Sequence, residues 1–317
     1  MDKREIISLF EFFKMFPDEE SARIYFEKRR WIHGRYCPHC GSVDTVEVKN
    51  HKPMPYRCKD CRSHFSVRTD CVLEETRLPL QKWLMAMYMM TTARKGIPST
   101  QMAKELGITQ KSAWFLAQRI REVFLAKTAG GNGNGGGSLE GKVEADETYF
   151  GGKESNKHAS KKLNAGRGTV GKAIVAGIKQ RDGRIVASVV PNTSAKVLQA
   201  LIADNVIDGA IVYTDEHSYY AGMTSYLHSS VRHSAKEFVK GEVHTNGIES
   251  FWSLLKRGHY GIYHYWSVKH LHRYVNEFAF RQNASRAGTL QMFDEVITNM
   301  GQRRLTYKAL TQESINA

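Results

Sequence analysis

Two closely spaced cysteine pairs constrain this chain more than any other feature. "CPHC" supplies Cys37 and Cys40, "CKDC" supplies Cys58 and Cys61, and seventeen residues separate the pairs. Two such turns at this separation can present four thiolates at the corners of a tetrahedron, the ligand set of a structural Zn2+ site. A disulfide pair and an iron–sulfur cluster are the competing readings, and the first suits a cytoplasmic chain poorly. Gly41 after the first pair, Tyr56 before the second and Phe65 after it fit a small ribbon of hairpins with almost no core of its own. Such a module takes its stability from its metal. Cys71 reads as a buried free thiol. His39, His51 and His64 lie nearby, but four sulfurs already close the coordination shell.

The surroundings of the ribbon are helical. "SLFEFFKMFPDEESARIYFEKRRW" reads as a helix broken at Pro17 and resumed from Asp18, packed on the ribbon. "LPLQKWLMAMYMMTTARKG" follows as a helix whose methionines and aromatics belong to a core. In "PSTQMAKELGITQKSAWFLAQRIREVF", Ser99 can cap a short helix, Gly107 makes a turn, and Thr109 can cap a second helix carrying Lys111, Trp114, Gln118, Arg119 and Arg121. A helix, a glycine turn and a second helix with polar and basic residues on its exposed face is the helix-turn-helix pattern, although any helical hairpin shares it. The charge balance favours the DNA-binding version. Lys and Arg number 46 against 32 Asp and Glu, a net charge of +14, and the excess is shared by both halves of the chain. A polyanion is the expected partner, nucleic acid first and an anionic membrane surface second. No run is apolar enough to span a bilayer, and the opening "MDKREIISLF" has no signal-peptide core, so the expected location is cytoplasmic.

The run from Gly130 to Ser138 has no side chains able to build a core and reads as a flexible linker. Beyond it the pattern changes. "KVEADETYFGG" reads as a strand with Val143, Ala145 and Tyr149 on one face and Glu144, Asp146 and Thr148 on the other. "KAIVAGIKQ" and "GRIVASVVP" form a strand pair turning at Asp182-Gly183, "SAKVLQALIADNVI" is helical, "AIVYTDEH" is a buried strand ending in acids, and "NGIESFWSLLKRG" is helical again. Three strands, a helix, another strand and closing helices meet the requirement of a ribonuclease H-like sheet; other mixed α/β folds share much of that order. Asp146 in the first strand and Asp215 at the end of "AIVYTDEH" would meet if those strands were neighbours, and the helix after them could deliver Glu249. Converging carboxylates repel unless cations sit between them, and hard oxygen ligands suit Mg2+ or Mn2+. Trp252 and Phe251 are assigned to the core, with stacking of Trp252 on an unpaired base as the alternative. Glu277 and Arg281 at i,i+4 are expected to form a surface pair.

In these motifs the chain resembles bacterial insertion-sequence transposases of the DDE type, in the branch with an N-terminal zinc ribbon, from about Phe10 to Asn283. The resemblance is carried by "CPHCG", "YRCKDCRSHFSV", "LPLQKW", "EADETYFGGK", "YTDEHSYY", "HTNGIESFWSLLKRG" and "YHYWSVKHLHRYVNEFAFRQN". It implies that Asp146, Asp215 and Glu249 are the catalytic, metal-binding triad and that Lys256 is the basic residue such enzymes place seven positions later to contact DNA. Some members carry asparagine as the third residue, and Asn246 stands where that choice arises. Asn246 has a structural reading too, as a helix cap paired with Glu249 in a capping box.

The expected organisation is therefore multidomain. It comprises an N-terminal helix and zinc ribbon (1–75), an all-α helix-turn-helix module (76–128), a Gly-rich linker (129–141), an α/β ribonuclease H-like catalytic domain (142–300) and a tail (301–317). Lys111, Arg119, Lys161, Lys162, Arg167, Lys256 and Arg257 are the expected DNA contacts. The function expected is binding of terminal inverted repeats with metal-dependent cleavage and strand transfer, the partner being double-stranded DNA at element ends and target, with a homo-oligomer on DNA. A DNA-binding regulator with an inactive transposase-like domain is the alternative.

Overall fold

A computed structural model describes residues 6–128, 139–152, 158–162, 171–215, 218–220, 222–231 and 242–312. They form two compact units, one from the N-terminal 124 residues together with Ala284–Ala317, the other from Leu125–Asn283. Residues 129–138 of the expected Gly-rich linker, and Arg167, lie outside the described residues, whereas Leu139 is already buried in the second unit's core and bridges to Val206. Among the described residues no helix is long and apolar enough to cross a membrane.

The first unit begins with α1 (Leu9–Met15) and α2 (Glu19–Arg30), separated at Pro17 as expected. Ser8 and Asp18 cap them through reciprocal hydrogen bonds with Glu11 and Ser21. Strands β1 (Thr45–Glu47), β2 (Tyr56–Cys58) and β3 (His64–Phe65) make the ribbon's antiparallel sheet in that order. Its core is Cys37, Tyr56, Cys58 and Phe65. Trp31, just after α2, meets Tyr56 and Phe65 edge-on, and the Tyr56 hydroxyl donates to Glu27. The helix thus completes a core too small to close alone.

Helices α3 (Leu80–Thr92), α4 (Ser99–Leu106) and α5 (Gln110–Thr128) follow. Gly107 turns the chain between α4 and α5 in the left-handed region, φ 58°, where a side chain would be strained. The Thr109 side chain accepts from the Ser112 N–H and caps α5. Ser99 is not a cap: Pro98 precedes the helix, and the Ser99 hydroxyl accepts instead from Gln110.

In the second unit, β4 (Lys142–Phe150), β5 (Ala173–Gln180) and β6 (Ile185–Val190) form an antiparallel meander, with Asp182 at φ 57° in the expected turn. After α6 (Ala195–Asn205), β7 (Ile211–Asp215) pairs parallel with β4, and β8 (Leu227–Val231) pairs parallel with β7. The sheet order is β6-β5-β4-β7-β8. One face packs a core with Leu198 and Ile202 of α6. The other packs against α7 (Asn246–Gly258) and α8 (Val268–Asn283) through Ile248, Phe251, Trp252, Leu255, Val275 and Phe278. Glu277 and Arg281 correct the expected surface pair. Both are buried, ion-paired with each other, and the Tyr263 hydroxyl donates to Glu277 at 3.1 Å. They lie among the apolar residues that α8 turns inward, so burial, not solvation, sets their role.

The chain then returns to the first unit with α9 (Thr289–Thr298) and α10 (Tyr307–Thr311). Phe293 packs against Phe12 and Tyr88, and Asp294 accepts from Tyr25 and Arg29. The expected α/β boundary at residue 300 is therefore corrected to 283, because α9 finds its apolar partners on α1 and α3.

Candidate active site and metal centre

The ribbon's four cysteines are all free and their sulfurs lie within 4.8 Å of one another. Sγ of Cys37 is 3.6 Å from that of Cys61, and Sγ of Cys40 is 3.6 Å from that of Cys58. Four sulfurs each about 2.3 Å from a central Zn2+ would stand roughly 3.8 Å apart, so the observed spacing fits a tetrahedral structural zinc and not disulfides. Backbone turns prepare both pairs. The Gly41 N–H donates to the Cys37 carbonyl, and the Cys58 N–H donates to the Ser63 carbonyl.

In the second unit the sheet assembles a different cluster. Lys142, Val143 and Glu144 of β4 pair in parallel register with Ile211, Val212 and Tyr213 of β7. The same offset carried two residues further sets Asp215 beside Asp146, on the same face of the sheet. Helix α7 crosses that face. An open cleft of about 470 Å³ is lined by Asp146, Glu147, Thr148, Asp215, Glu249, Trp252, Ser253 and Lys256. Glu249 and Lys256 sit seven residues apart on α7, nearly two helical turns, and so share a face. Asn246 is the first residue of the helix, and it does not line the cleft.

Burial, then the charges of Glu147 and Asp215, push the Asp146 carboxyl up to about 7. Four carboxylates and a single lysine around one cleft leave negative charge that a cation would neutralise, and oxygen donors suit a hard divalent ion. Among the described residues, the four cysteines are the one group drawn together as closely as an ion requires. Asp146, Asp215 and Glu249 share a cleft without closing to that spacing. Glu249 accepts from the buried Thr245 hydroxyl at 2.8 Å. Thr245, not Asn246, precedes the helix as its cap residue, so the capping box expected between Asn246 and Glu249 does not form.

Three hydrogen-bonding arrangements at or beside the cleft emerge only from the folded chain. Glu144, two positions before Asp146, is fully buried and accepts from the Ile248 N–H at 2.9 Å, at the start of α7. Arg181 Nε donates to it at 3.2 Å, and His244 Nδ1 lies 3.4 Å away without hydrogen-bond geometry. The Trp252 indole N–H donates to Asp146. The Tyr220 hydroxyl donates to Glu147 at 2.9 Å. The signal for Glu144 was available, since strand alternation puts it on the face of Asp146, but its partners are 37 and 104 residues away.

The expected DNA contacts divide. Lys256 and Arg257 are exposed on α7, Lys162 is exposed after a short 3-10 turn that ends at Lys161, and Lys111 is exposed at the start of α5 with its ammonium over the Tyr307 ring. Arg119 corrects the expectation. It is buried, donates to the Glu74 carbonyl, and stands over the rings of Trp83 and Phe115. Gln118 and Arg121 are buried too.

Comparison with known proteins gives two family matches. Residues 138–283 match the ISXO2-like transposase domain, and residues 17–64 match the transposase zinc-ribbon domain. An uncharacterized protein in transposable element ISH50 of Halobacterium salinarum is 28% identical over 289 residues, covering 86% of this chain and 94% of that protein. No solved structure matches the chain.

Proposed function

We propose, for a chain that belongs to the insertion-sequence transposases with a zinc ribbon ahead of an ISXO2-like domain, that its second unit cleaves DNA at the element's ends and joins them to a target. The observation that carries this reading is the cleft in which Asp146, Asp215 and Glu249 converge with Lys256. The sheet order, three antiparallel strands followed by two parallel ones with helices on both faces, supports a ribonuclease H-like fold. Asp146, Asp215 and Glu249 would hold Mg2+ or Mn2+, which when bound supplies Lewis-acid activation of an attacking oxygen and charge neutralisation at the leaving one.

The chain's own residues do the rest. Asp146 and Asp215, on neighbouring strands, are held by the sheet, while Glu249 rides on α7 and is steadied by Thr245. Lys256 offers an ammonium to a phosphate on the face that Glu249 shares, and Arg257 extends that charge. Water or a 3′-hydroxyl serves as nucleophile, so no covalent protein–DNA intermediate is required. In the first unit, α4, Gly107 and α5 support a helix-turn-helix reading, with Lys111 at the exposed start of the second helix and the ribbon alongside it in sequence. Together they would recognise the terminal repeats. Assembly of two or more copies on DNA belongs to the same reading.

A supercoiled plasmid carrying both element ends separates this enzyme from a DNA-binding regulator. Incubation with Mn2+ should nick or linearise the plasmid at the ends. Binding without any strand scission would favour the regulator.

A further inference from the structure

Trp252 touches the cleft in a way that packing alone does not require. Its ring is buried, and its Nε1–H donates to Oδ2 of Asp146 at 3.0 Å. Asp146 pairs across the antiparallel ladder with Gly177 of β5. A Cβ at 177 would stand 2.6 Å from Cη2 and 2.8 Å from Cζ2 of that indole, well inside van der Waals contact. The bare backbone at Gly177 is what lets the ring lie against the sheet at the aspartate. A glycine inside a strand gives up packing and entropy, and a close approach is one of the few reasons to keep it.

The indole N–H is a donor and nothing else. A phenylalanine could fill much of the same space but could not hold a carboxylate. Trp252 also follows Glu249 by three positions on α7, so a slide or rotation of the helix that moved Glu249 would break the bond to Asp146. We propose that Trp252 is a positioning residue of the cleft. Its indole N–H fixes the rotation of the Asp146 carboxylate and ties it to the helix that carries Glu249, and Gly177 admits it. This role rests on the reading in which Asp146, Asp215 and Glu249 hold a divalent cation, and it replaces both pure core packing and base stacking for Trp252.

The test is direct Mn2+ binding to the zinc-loaded full chain without DNA, followed by loss of the free-ion signal in electron paramagnetic resonance. Wild type is compared with Trp252→Phe, Gly177→Ala and Phe251→Leu, the last removing bulk from the same buried face without touching Asp146. Loss of an outer hydrogen bond to a metal ligand should weaken Mn2+ binding about tenfold or more in Trp252→Phe. Gly177→Ala should weaken it in the same direction, because its Cβ displaces the ring. Phe251→Leu should lower the thermal midpoint while binding Mn2+ as wild type does. The proposal is overturned if Trp252→Phe, or Gly177→Ala should the first not fold, binds Mn2+ with wild-type affinity. It is equally overturned if Phe251→Leu weakens binding as much. A wild-type chain that binds no Mn2+ at this site would instead remove the underlying reading of the cleft.

Discussion

At the scale of single residues, Glu249 is the proposed third ligand and Asn246 has no part in the proposed chemistry. Glu249 lines the cleft and Asn246 does not. Glu249→Gln should therefore abolish strand cleavage while costing at most about 1 kcal/mol, the worth of its bond from Thr245. Asn246→Ala should keep cleavage and change stability by no more than about 0.5 kcal/mol, as an exposed first-turn residue. Chemical denaturation and a cleavage assay on the same preparations check both. The two basic residues of α5 should part in the same manner. Lys111→Ala should reduce the salt dependence of DNA binding by about one counterion. Arg119→Ala should destabilise the first unit, since it strips a buried guanidinium from the Glu74 carbonyl and from two aromatic rings. An unaltered salt slope in Lys111→Ala would place the DNA elsewhere.

At the scale of elements, the registration of α7 on β4 decides whether the cleft exists. Glu144 receives the Ile248 N–H at the helix start, and Trp252 reaches Asp146 one turn later, so two bonds pin residues four apart on the helix to residues two apart on the strand. Gly247 belongs to this contact, because a Cβ there would lie 2.7 Å from Glu144 Oε2. Glu144→Ala should cost roughly 2–3 kcal/mol, by leaving a buried N–H unsatisfied and Arg181 without its carboxylate. It should also lower cleavage further than its stability loss explains, which cleavage at a temperature well below the thermal midpoint would reveal. Much of this was legible beforehand. The acids of β4 and β7 stand at strand ends that alternation and apolar runs mark clearly, and Pro17, Gly107 and Asp182-Gly183 punctuate the chain through local backbone chemistry. The misses are non-local. "LHSSV" of β8 is too polar to read as a strand and is defined by its partner β7. Arg119, Glu277 and Arg281 looked solvated because the aromatic residues that bury them come from elsewhere in the sequence or from a helix face that only packing selects. The sequence pattern puts the cap of α7 at Asn246, one residue past Thr245, because burial of Thr245 and not local capping chemistry sets that boundary.

At the scale of the molecule the chain divides into two compact units, and under the proposed function each should fail separately. Chelation of zinc, or Cys37→Ser, should release the metal and strip hydrogen-exchange protection from β1, β2 and β3, while the sheet that bears Asp146 and Asp215 keeps its own. Loss of protection in both at once would mean that the units fold as one. The central claim is that the carboxylates of this sheet and helix cut DNA. Its most direct measurement is the cleavage of a labelled duplex bearing an element end by wild type and by Asp215→Asn, with binding of the same duplex recorded in parallel. Asp215 is chosen because it enters the cleft from β7, whereas the hydrogen bonds from α7 to Glu144 and Asp146 join that helix to β4. Wild type should cut in the presence of Mn2+ and Asp215→Asn should not, with both proteins binding the duplex equally. Cutting by Asp215→Asn at the wild-type rate would contradict that claim.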